Sequence, residues 1–202
     1  MVCYRPVRSP ASRFGSLSTL ALALIPRAVA LNLALGGVVT ALRIPFLYLD
    51  SVGTILAGAL AGPVAGIVTG VLSNLVLGLL VTPVWLAFIP VTVVIGAIAG
   101  IAARLGAFRR WWTAAAVGVV IGIAAGLSSV PIVILVYGGI TPTGTGVITM
   151  VLRGALGLSM ETAVKVASVS SDLIDKPLSC LLVAAILARL PARITARFRS
   201  AP

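Results

Sequence analysis

The chain has no histidine, only four acidic residues and only two cysteines in 202 residues. Losing histidine removes the commonest acid–base catalyst and the commonest metal ligand. Cys3 lies in the N-terminal tail and Cys180 inside an apolar run, so neither a disulfide nor metal-ligand spacing is expected. Only two lysines occur, Lys165 and Lys176, and neither follows a glycine-rich G-x-x-x-x-G-K-[ST] loop, so ATP hydrolysis by the chain itself is excluded. No Ser–His–Asp set, paired carboxylates on rigid helices or metal cluster is visible, and an enzyme is not expected. Charged residues make up only 9% of the sequence, against about 25% in soluble domains.

Hydrophobic residues take up 60% of the chain, and mean hydropathy is +1.20. Several apolar runs approach or exceed the ~20 residues needed to span a bilayer. No alternation of the kind that marks barrel strands is present. The expectation is an all-α integral membrane protein forming a single membrane domain over 1–202, with basic tails at 1–16 and 191–202. The basic start followed by an apolar stretch could pass for a signal peptide, but no clear small-x-small cleavage site leads into a polar mature start.

Six membrane helices are predicted. The first covers 28–42, with 17–25 as an extension or interfacial turn broken at "IPR". The next two, 51–61 and 64–81, are split by the breaker pair "AGP". The others are 85–103, 112–137 and 173–190. Residues 147–171, with Arg153, Glu161 and Lys165, form an extra amphipathic or partly inserted segment before the last helix. The net charge of +11 is explained by topology. With both termini cytoplasmic, ten of the fifteen basic residues lie inside, as the positive-inside rule requires. Arg43, Arg153 and Lys165 fall in outside segments.

Ionisable groups within membrane segments are costly and usually face a cavity or a partner. Asp50 is the only carboxylate in the first 160 residues, and it stands in the otherwise apolar "FLYLDSVGTILAGALAGP". On this topology Asp50, Asn74, Glu161, Asp172, Asp175 and Lys176 all sit toward the outside, above an apolar base. They predict a polar, outward-facing pocket. Each also has a plainer reading: an N-cap for Asp50, a helix–helix hydrogen bond for Asn74, a local charge pair for Asp175 and Lys176. Tyr48, Trp85 and Tyr137 fit an interfacial aromatic belt or a stack on a planar ligand. Small residues spaced by four recur at Ala30/Ala34, Gly37/Ala41, Gly58/Gly62 and Gly66/Gly70, and suit either internal packing or docking of another membrane protein.

The stretch "LALIPRAVALNLALGGVVTALRIPFLYLDSVGTILAGALAGPVAGIVTGVLSNL", ending at Leu75, resembles the S components of energy-coupling factor (ECF) vitamin transporters. "DLIDKPLSCLLVAAIL" (172–187) resembles their closing helix, and the likeness extends over about 17–190. It implies a six-helix subunit of the prokaryotic plasma membrane that captures a vitamin or related micronutrient from outside. It further implies, as partners, a transmembrane coupling subunit and two ATPase subunits. Ala30 and Ala34 match the family's A-x-x-x-A docking motif. In such proteins the loop "RIPFLYL" lies over the binding site, which has Asp50 capping the second helix while facing the pocket. The substrate-binding candidates are then Asp50, Asn74, Trp85, Tyr137, Glu161, Asp175 and Lys176, with no cofactor and no metal. The alternatives are a non-transporting membrane scaffold or assembly protein and, more weakly, an enzyme acting on lipid head groups.

Overall fold

A computed structural model of the chain describes residues 18–42, 44 and 46–191. Both basic tails and Arg43 lie outside the described residues, among which there are helices and no strand. Helix α1 (Thr19–Ala41) starts at Ser18, whose Oγ accepts the Ala21 N–H at 3.2 Å. The expected break at 25–27 is absent, because α1 runs unbroken through Pro26. A proline removes one backbone hydrogen bond. In an apolar setting the rest of the backbone is still best satisfied by continuing the helix.

Helices α2 (Val52–Ala61) and α3 (Pro63–Leu80) part at Gly62, as expected. Its φ of 92° suits glycine, and Pro63 starts the next helix at a position where no N–H is needed. The single helix predicted for 85–103 is two: a one-turn α4 (Val84–Ala87) and α5 (Ile89–Arg104), which starts afresh with Pro90 in its first turn. A 3₁₀ turn at Ala107–Arg109 leads into α6 (Trp111–Tyr137), which passes Pro131 and stops at Gly138 in the left-handed conformation.

The largest departure is at 147–171. Helix α7 (Gly144–Leu156) ends at Gly157, and α8 (Met160–Arg189) then runs 30 residues to the end of the bundle. The last helix thus begins thirteen residues before the predicted 173, at a cap in which the Ser159 Oγ accepts the Thr162 N–H. Pro177 interrupts its hydrogen bonding without ending it.

Helices α1, α3 and α6 have the length and hydropathy to cross a membrane, and α2, α5 and α7 are shorter apolar helices. Ten-residue α2 rises only about 15 Å, half a hydrocarbon core. Helices α2, α3 and α5 pack together, α1 lies on α2 and α3, and α6 pairs along its length with α8, which also carries α7. Val52, Ile55, Ile95, Ile121, Cys180 and Val183 form the core shared by α2, α5, α6 and α8.

Close backbone approach holds these pairs together. A Cβ on Gly118 would lie 2.3 Å from Pro177 Cα, and one on Gly126 2.8 Å from Val169 Cα, so α6 presents a glycine face to α8. Gly58 and Gly66 pack likewise against Gly96 and Gly100 of α5, which assigns the spaced glycines of α2 and α3 to internal packing. Ala30 and Ala34 are exposed on α1, and a Cβ on Gly37 would meet nothing within 4 Å.

Candidate functional site

Residues 46–51 connect α1 to α2 as a strap across one end of the bundle. A loop in this position leaves N–H groups without helical partners, and buried N–H groups must find acceptors. Asp175 of α8 supplies them: its Oδ1 accepts the Tyr48 and Leu49 N–H groups, both at 2.8 Å. The Tyr48 hydroxyl lies 2.6 Å from Thr145 Oγ1 and accepts the Thr145 N–H at 3.0 Å, which ties the strap to α7. Burial raises the pKa of the Tyr48 phenol above its ordinary value, so it remains a neutral hydrogen-bonding group. Leu49 has a φ of 51°, a left-handed conformation that a side chain disfavours.

Asp175 is fully buried, and its Oδ2 accepts from Lys176 Nζ at 2.6 Å. Lys176, 4% exposed, also donates to Ser51 Oγ at 3.1 Å. It stands 3.5 Å from Asp172 Oδ1, one turn earlier on α8, and 3.7 Å from Asp50 Oδ1. Three carboxyl groups therefore surround one ammonium. A lysine taken out of water needs such partners, and a carboxylate buried without one is equally costly. Asp50 and Asp172 keep 17% and 16% of their side chains exposed, so they are the members that a molecule arriving from the solvent side meets first.

Asp50 Oδ1 is buried and has no hydrogen-bond donor. The N-cap position of α2 falls to Ser51, one residue later than expected for Asp50. Ser168, Ser171 and Ser179 share the buried face of α8 with Asp175, and their hydroxyls have no hydrogen-bond partner either. Among the described residues no group of three His, Cys, Asp or Glu side chains is placed to hold a metal ion.

Asp50, Asp175 and Lys176 come together as the sequence suggests, joined by Asp172. Asn74, Trp85 and Tyr137 form a second group, which fixes α4. Asn74 Nδ2 donates to the Trp85 carbonyl at 3.1 Å, and the Tyr137 hydroxyl donates to the Val84 carbonyl at 3.2 Å. Tyr137 stacks on Phe88, with centroids 6.2 Å apart and planes 9° apart. Trp85 enters this group through its backbone. Glu161 is exposed on the first turn of α8 and is bonded to Lys165.

The sequence reading missed Asn32, which is fully buried in α1. Its Nδ2 donates to Thr54 Oγ1 and Ser73 Oγ, both at 2.9 Å, while its Oδ1 accepts the Gly53 N–H at 2.6 Å. One side chain thus joins α1, α2 and α3 directly below the strap. The available signal was its isolation, since it is the only polar side chain between Arg27 and Thr40. Ser51 and Thr145 had no such signal. No protein family model, curated protein or solved structure matches this chain.

Proposed function

We propose that the chain is the substrate-capture subunit of an ECF-type importer, with six spans, both termini in the cytoplasm of a prokaryote, and the strap facing outside. On this reading it binds a vitamin or related micronutrient beneath the strap and hands it on through a coupling subunit driven by two ATPases. The observation that carries the reading is the latch, in which Asp175 holds the strap by two backbone N–H groups within a buried cluster of three carboxyl groups and one lysine. A loop whose backbone is held to a polar centre chiefly by one carboxylate has the form of a gate over a ligand. Asp50 Oδ1 has the Lys176 ammonium at 3.7 Å but no donor within hydrogen-bond distance, which favours a ligand that offers an amine or another N–H or O–H group once the strap has opened. The orientation is supported by Arg104, Arg109, Arg110 and Arg189 at the opposite end of the bundle.

The test is mass spectrometry of small molecules released from the purified, denatured protein, alongside affinity purification from native membranes. A single retained micronutrient, together with co-purified ATPase and coupling subunits, is expected. Neither a retained compound nor an ATPase across several growth media would refute the reading.

A further inference from the structure

At the end of the bundle opposite the strap, a groove of ≈ 520 Å³ opens between the ends of α2 and α5, the 3₁₀ turn and the last turns of α8. That volume is within the ~300–1,000 Å³ of small-molecule sites. Its lining side chains are mostly apolar, with Ala59 and Leu60 on one side and Ala184, Ala185 and Ala188 on the other, polar atoms share the lining surface, and Arg109 is its only charged lining residue. Arg104, Arg110 and Arg189 are exposed at the same end, where the described segments carry no acid. Beside it Trp111, which lines the groove and is 69% exposed, sits edge-on to Trp112, over which the Arg110 guanidinium lies at 5.1 Å. Tryptophan and arginine together are the residues that settle at lipid head-group depth.

Charge selects the occupant. The chain's own tails contain Arg5, Arg8, Arg13, Arg193, Arg197 and Arg199 and no acid, so either tail would bring arginine against Arg109. A second copy presenting the same end would do likewise. An apolar groove with one guanidinium at head-group depth matches an anion that carries a hydrocarbon tail. We propose that this groove binds an anionic phospholipid, with an acyl chain along the alanine walls and the phosphate paired with Arg109. A basic residue near an anionic membrane surface adds an attraction of this kind, and a guanidinium can hold a phosphate through two hydrogen bonds. The site is separate from the strap and does not rest on the importer reading.

The test is native mass spectrometry of the full chain in detergent, titrated with phosphatidylglycerol or with phosphatidylcholine of identical acyl chains. Phosphatidylglycerol is expected to be retained preferentially. Arg109→Gln should lower its affinity about fivefold, Arg109→Lys should restore most of it, and phosphatidylcholine retention should not change. Ala185→Phe, which fills the groove from an exposed position, should lower phosphatidylglycerol retention without lowering the melting temperature. Equal retention of the two lipids, or a silent Arg109→Gln in folded protein, would overturn the assignment. So would displacement by millimolar inorganic phosphate, which would indicate a plain anion site. A photo-crosslinker at Ala185 that captures a polypeptide instead of lipid in native membranes would also overturn it.

Discussion

Replacing Asp175 with alanine tests the latch directly. Asp175 Oδ1 takes two strap N–H groups at 2.8 Å. A hydrogen bond to a charged group contributes about 1.5–3 kcal/mol, so strap closure loses about 3–6 kcal/mol. At 1.4 kcal/mol per factor of ten, the strap should open roughly 10²- to 10⁴-fold more often. The left-handed Leu49 works in the same direction, since its backbone is held at a cost of about 1–2 kcal/mol. Lys176 retains Asp50 and Asp172 within 4 Å, so its charge remains partnered and the bundle should stay folded. The assay is hydrogen exchange by mass spectrometry on the protein in nanodiscs, comparing peptides over 46–51 with peptides over α5 as an internal control. Asp175→Asn keeps an oxygen for the strap and turns the Lys176 acceptor into a donor, so strap exchange should rise less than with alanine. Thr145→Ala removes only the neutral side-chain bond to the Tyr48 hydroxyl and leaves the Thr145 N–H donating to it, a loss of about 1 kcal/mol or fivefold. Unchanged exchange at 46–51 in folded Asp175→Ala, or a larger change from Thr145→Ala, would refute the reasoning.

Asn32→Leu should lower thermal stability in detergent by about 1–3 kcal/mol, because the buried Gly53 N–H loses its acceptor at the junction of three helices. Gly118→Ala should cost about 1–3 kcal/mol or reduce folded yield, since its methyl would lie 2.3 Å from Pro177 Cα. Gly37→Ala, which meets nothing, should be neutral or slightly stabilising by the same melting measurement. Ala34→Leu, on an exposed position, should leave the melting temperature unchanged and, on the importer reading, reduce co-purification of a coupling subunit while ligand binding persists.

The helical class was legible because apolar run length is a direct physical signal, and the stop at Gly62–Pro63 was legible because both residues constrain the backbone. The misplaced boundaries have physical reasons. Pro26 was read as a breaker, yet helix α1 continues past it because leaving the helix in an apolar setting would strand several backbone groups rather than one. The start of α8 was hidden for the opposite reason. Its first four turns carry Glu161 and Lys165 on exposed positions, so hydropathy fell there while the helix went on. At about 45 Å, α8 is longer than a hydrocarbon core, so part of it is free to be polar. Capping by Ser159, and not apolarity, marks where it begins.

The site was half legible for a related reason. Asp50 stood out as a lone carboxylate, and Asp175 with Lys176 as adjacent charges, but their partners leave no mark on side-chain pattern. Asp175 reaches across 126 and 127 residues to backbone N–H groups, and any residue other than proline offers that donor. Asn74 and Tyr137 likewise end on backbone carbonyls. Polarity in an apolar chain therefore indicated where hydrogen bonds were needed, and not whether ligand or backbone would make them. The same requirement links latch to charge cluster. A strap crossing a dry bundle needs an acceptor for its N–H groups, and a carboxylate serves best. A fully buried carboxylate needs a counter-charge, which the next residue, Lys176, provides. Lys176 leans in turn on Asp50 and Asp172, which remain partly exposed. Anything that binds those two carboxylates from outside draws on the same ammonium that steadies Asp175. On the importer reading, occupancy at the rim and closure of the strap would be coupled through a single side chain.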